Sequence, residues 1–116
     1  MKWSQPDCID YVNSYVSDWF ETKPASDYHW EFVPMFEVEL IYPKIEWIEW
    51  MNREINYVTK AGLIDYYSDI LSEEIINPAI VLHEKGHYTA LDGNHRMGAT
   101  VLRGGNNVKA LIGKPL

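Results

Sequence analysis

Positive charge is scarce in this sequence: ten Lys and Arg stand against seventeen Asp and Glu, a formal net charge of −7. An acidic body repels the phosphate backbone of nucleic acid, so no nucleic-acid partner is expected, and a nuclease ranks last among the enzyme readings. Cysteine is almost lacking. The one thiol, Cys8, excludes an internal disulfide and is compatible with a reducing, cytoplasmic setting. It lies between Asp7 and Asp10, whose charges disfavour a thiolate, so it reads as structural. No run of about 18 apolar residues is present, so no membrane span is expected. The N-terminus lacks the charged-then-apolar signal pattern and reads as mature protein. There are no repeats, no low-complexity segments and no long linker.

Apolar residues make up 47% of the chain, with five Trp and eight Tyr, which is enough to build a core. A length of 116 residues fits a single domain, 1–116. The charge is unevenly spread. Residues 1–84 hold five basic and sixteen acidic residues, whereas residues 85–116 hold five basic residues and only Asp92. The last third is therefore the one basic region, suited to a small anion.

Ser4 with Asp7 resembles a capping box, and Ile9, Val12, Val16, Trp19 and Phe20 recur at helical spacing, so a helix is expected over about 5–20. Glu21 to Asp27 reads as a loop. Trp30 to Tyr42 reads as a strand that Pro34 confines to an edge or a bend. Ile45, Ile48, Met51, Ile55 and Val58 form the apolar stripe of a second helix. Another helical piece is expected over Leu63 to Glu74, stopped by Asn77-Pro78. Ala79 to His83 and His87 to Leu91 read as a hairpin around Glu84-Lys85-Gly86, followed by a helix from His95 to Leu102, the Gly104-Gly105 stop and a last strand from Asn107 to Ile112. This order predicts an α+β domain with a small mixed sheet and packed helices.

Asp92-Gly93-Asn94-His95-Arg96 lies where a strand turns into a helix. The free backbone N–H groups and the dipole of that helix favour an anion at its start. Gly93 lets a ligand approach the backbone, Asn94 can cap the helix or touch the ligand, and Arg96 offers a planar donor set for phosphate. His95 can donate hydrogen bonds or move a proton, and Asp92 can orient His95 or Arg96, or hold a metal that accompanies phosphates. The same residues also fit a plain polar turn, with Asn94 capping and Asp92 paired to Arg96.

The pattern Gly86-x-Tyr88-x-x-x-Asp92-Gly93-Asn94-His95-Arg96-x-x-Ala99, followed by Gly104, resembles the ParB/sulfiredoxin superfamily. The resemblance spans roughly 36–112 and is sharpest over 86–105; the helix and loop over 1–27 are an addition to it. It implies a ParB/sulfiredoxin-like fold and a site for ATP, ADP or CTP with Mg²⁺, with Gly93, Asn94, His95 and Arg96 on the phosphate-binding loop. Catalytic roles in phosphoryl hydrolysis or transfer would fall to His95 and Asp92, with Glu39 (or its neighbour Glu37) as a general base on the first strand. Asn94 stands where sulfiredoxins carry the reactive Cys, which argues against sulfinic-acid reduction. The helix-turn-helix and dimerisation domains of ParB proteins have no room here, so a role in chromosome partition is not expected.

Other candidates are Arg53 and Lys60, which can reach a phosphate from the second helix, and His83 with His87, a possible two-His metal pair. Trp47 and Trp50 flank the apolar stripe and suit either the core edge or a protein partner. Two functions are thus in view: a nucleotide-binding enzyme or switch, and a non-enzymatic protein-binding module of phage or mobile-element type with an acidic, Trp-rich face.

Overall fold

The computed structural model describes residues 3–16, 23–61 and 77–116, with the side chains of 55–61 excepted. Helix α1 spans Gln5–Val16, strand β1 Tyr28–Glu37, helix α2 Lys44–Ala61, strand β2 Ala79–Glu84, strand β3 His87–Asp92, helix α3 Asn94–Leu102 and strand β4 Asn107–Pro115. Short 3-10 turns occupy Ala25–Asp27 and Val38–Leu40. The expected α+β class with a mixed sheet is what forms. The helical piece expected over 63–74 lies outside the described residues, as do Trp19 and Phe20.

The sheet order is β1-β4-β2-β3. β4 runs antiparallel to β1 and parallel to β2, and β2 and β3 form the expected hairpin. Period-two alternation sends neighbouring residues to opposite faces. Ile80 and Leu111 pack with Cys8, Val12 and Trp30 on the α1 face, while Val81 and Ile112 pack with Trp47, Met97 and Val101 on the other. The result is a three-layer arrangement with α1 on one face and α2 and α3 on the other.

Local chemistry explains the ends. Ser4 Oγ accepts the Asp7 N–H at 3.2 Å, the cap read from the sequence. Pro34 falls in the register shift between Val33 and Phe36, on an edge strand where its missing N–H costs no ladder bond.

Two expectations shift. β1 does not run to Tyr42. Its last residue, Glu37, pairs with Asn107 at the start of β4, and beyond that the ladder has no partner. Val38 turns inward instead, and its N–H donates to the Asn106 carbonyl. The buried stripe of α2 also differs at its first turn. Met51 is buried as expected and Ile48 packs on the core, but Ile45 is 60% exposed and Trp47 is buried instead. Trp47 wins the inner position because its bulk fills the core and its indole N–H donates to the Val38 carbonyl at 2.9 Å. Met51 lies where a Cβ on Gly98 would stand, so α2 and α3 cross closely at that glycine.

Candidate functional site

α3 begins where the hairpin ends. Gly93 is its N-cap, at φ +93°, a conformation that side chains other than glycine rarely adopt. A Cβ there would also stand 2.8 Å from the Ala79 Cβ. The close approach that Gly93 permits is therefore to the start of β2. Asn94 does not cap the helix through its side chain; it is the first helical residue. The Gly93 carbonyl accepts the Met97 N–H at 2.9 Å, the first bond of the helix.

Beside this turn opens a cleft of about 470 Å³ lined by Tyr42, Glu46, Trp47, Glu49, Trp50, Arg53 and Asn94. Positions 42, 46, 49, 50 and 53 recur at three- and four-residue steps, so α2 and Tyr42 just ahead of it present them along one face. The cleft thus joins the first residue of α3 to a face carrying two carboxylates, a guanidinium and aromatic rings. Tyr42 and Trp47 meet edge to face at 5.2 Å, and Trp47 and Trp50 at 6.1 Å. His95 borders the cleft. Its ring stacks on Trp50 at 5.1 Å and its Nε2 lies 3.8 Å from Glu54 Oε2.

The loop residues divide between two sides of the molecule. Asn94 and His95 face α2, whereas Arg96 and Asp92 turn toward α1. An Arg96 Nη1 N–H donates to the Asn77 carbonyl, and Arg96 Nε is buried with no hydrogen-bond partner among the described residues. The Tyr11 hydroxyl donates to the Pro78 carbonyl at 2.7 Å. Burial holds the Tyr11 phenol well above its ordinary pKa, with the Asp92 charge adding to the rise and the Arg96 charge opposing it. Arg96 and Asp92 thus sit with α1 and the segment entering β2, away from the cleft lining. The Asp92–Arg96 pair does not appear among the described ion pairs.

Glu37 ends β1 and Glu39 lies in the following 3-10 turn, both exposed and outside the cleft lining. Arg53 lines the cleft, while the Lys60 side chain is not described. His83 stacks on its cross-strand partner Tyr88 at 4.0 Å, and His87 pairs with Glu84, so the two histidines do not face one another. Among the described residues no group of three or more His, Cys, Asp or Glu is placed to hold a metal. Cys8 is fully buried, and burial first, then Asp7, raises its thiol pKa. No described helix is long and apolar enough to cross a membrane.

Glu46, Glu49 and Tyr42 were not singled out by sequence. Their signal was the spacing itself, a second face of α2 offset from the apolar stripe. Tyr11 carried no local signal, because its partner Pro78 is 67 residues away.

The fold and cleft define an α+β domain with a ligand-sized groove between two helices. No family model matches the sequence, and no curated protein or solved structure matches it.

Proposed function

We propose that the chain is a nucleotide-binding protein of the ParB/sulfiredoxin kind, holding phosphates at the start of α3. The observation that carries this reading is the meeting of Asn94, Arg53 and Trp50 in one cleft. The backbone N–H groups and dipole at the start of a helix such as α3 favour an anion, Arg53 supplies positive charge, and the Trp50 ring offers a stacking surface for a base. His95, held against Trp50 and Glu54, is the loop side chain best placed to touch a phosphate. The element order β1, α2, the β2–β3 hairpin, α3 and β4, with the glycine loop opening α3, supports the same reading. Mg²⁺ would enter on the phosphates, shielding them from Glu49.

The test is thermal unfolding with Mg²⁺ and ATP, CTP or GTP. At roughly 100-fold excess over Kd, the melting temperature should rise on the order of 10 °C. Arg53→Ala should cut the rise sharply. No rise with any nucleotide at millimolar concentration would sink the reading.

A second reading has its own support. Tyr42 and Ile45 are exposed beside Glu46 and Glu49, a surface that suits a basic protein segment. Trp47 is core and does not contribute to that surface. Capture of a partner that is lost on Ile45→Asp, with nucleotides inert, would favour this reading over the first.

A further inference from the structure

The cleft is polar along its length. Asn94 lines it next to His95, which meets Trp50 and Glu54, so the start of α3 lies at the Arg53 end; Glu46 and Tyr42 come earlier along the same face, with Trp50 between. Arg53 and Glu46 are seven residues apart on one helix, about 10 Å along its axis. That separation is of the order between the pairing edge of a base and the outer phosphates of an extended nucleotide. We infer that Glu46 reads the base and that the preferred ligand is a guanine nucleotide. The inference rests on the nucleotide reading above and adds the identity of the base.

Donors and acceptors distinguish the bases. A carboxylate only accepts hydrogen bonds. Guanine presents two adjacent donors on its pairing edge, the ring N1–H and the exocyclic amine, which match the two carboxylate oxygens in a parallel, charge-assisted pair. Adenine offers one donor beside a ring nitrogen that repels the carboxylate. Cytosine has the same arrangement of one amine beside an acceptor nitrogen. Uracil offers one N–H between two carbonyls. Glu46 therefore favours guanine and penalises the other three. Glu49 lies four residues before Arg53, the spacing at which a carboxylate and a guanidinium steady one another, so its place is nearer the phosphate end. Trp50 and Tyr42 bind any base by its π surface and do not discriminate. Because Glu46 is exposed at the rim, water competes with the base, and the expected preference is about tenfold rather than the far larger ratios of enclosed sites.

Titration calorimetry decides the matter. The Mg²⁺ salts of GTP, ITP, ATP, CTP, UTP and inorganic triphosphate are each titrated into the wild-type chain and into Glu46→Gln. GTP should bind about tenfold more tightly than ATP, CTP or UTP. ITP, which keeps the ring N1–H and lacks the amine, should fall between. Glu46→Gln should erase the preference and leave triphosphate binding unweakened. Equal affinities for all nucleotides, with triphosphate still bound, overturn the base assignment and leave the phosphate site standing. A guanine preference that survives Glu46→Gln overturns the role given to Glu46. Failure of every nucleotide and of triphosphate to bind overturns both this inference and the reading beneath it.

Discussion

The His95 imidazole lies over the Trp50 indole at 5.1 Å and 28°, with its Nε2 turned to Glu54 at 3.8 Å. One residue of the loop is thereby fixed to the face of α2 that forms the cleft. Trp50→Ala removes both the stacking surface for a base and the support of His95. The expected result is at least a tenfold loss of nucleotide affinity by calorimetry, since one base–aromatic stack is worth about 1–3 kcal/mol. Inorganic triphosphate, which has no base to stack, should lose less.

Gly93→Ala should destabilise the fold by about 2–3 kcal/mol. The left-handed backbone alone costs a side chain about 1 kcal/mol or more, and the new methyl would meet Ala79. Chemical denaturation should show a lower midpoint with an unchanged slope. An unaltered midpoint would show that the turn can relax.

Tyr11→Phe deletes the hydrogen bond to Pro78 and leaves that carbonyl unpaired, for a loss of about 1 kcal/mol, read as a melting temperature several degrees lower. Arg96→Ala should likewise lower the melting temperature, because it frees the Asn77 carbonyl. It should nevertheless retain the rise on nucleotide binding, since Arg96 points away from the cleft. Loss of that rise in a folded Arg96→Ala protein would place the phosphates on the α1 side instead.

Stability should fall in alkali. Burial, followed by a hydrogen bond and charge from Glu84, pushes the Tyr28 phenol from 10.0 up to about 12. Cys8 and Tyr11 shift in the same direction. Above pH 10 the unfolded chain releases the Tyr28 proton while the native chain keeps it, so each pH step favours unfolding until native Tyr28 itself ionises near pH 12. Below the unfolded values these groups add no pH dependence. Denaturation midpoints across this range should decline, and ultraviolet absorbance should show phenolates appearing late in the native protein. A flat profile would contradict the buried phenols.

The hairpin, the last helix and the last strand were legible because their signals are local: Lys85-Gly86 at a turn, β-branched and apolar runs beside it, and a glycine on each side of a short helical pattern. The end of β1 and the start of the inner face of α2 were not. Val38 leaves the sheet because β4 begins only at Asn107, and Trp47 takes the inner position expected of Ile45 because its indole finds the Val38 carbonyl. Neither fact is within reach of a seven-residue window.

The candidate site divides in the same way. From the sequence alone came the glycine turn, the helix that follows it and the positive charge of the last third, since backbone conformation and helix dipoles depend on neighbours in the chain. Only the tertiary structure decided which loop residues face the cleft. Asn94 and His95 lie against α2, while Arg96 and Asp92 turn toward α1, because successive residues at the start of a helix point about 100° apart and different elements pack on each side. The carboxylates and aromatic rings of the cleft come from α2 and from Tyr42 just ahead of it, far back along the chain from Asn94, and packing alone brings them to the loop.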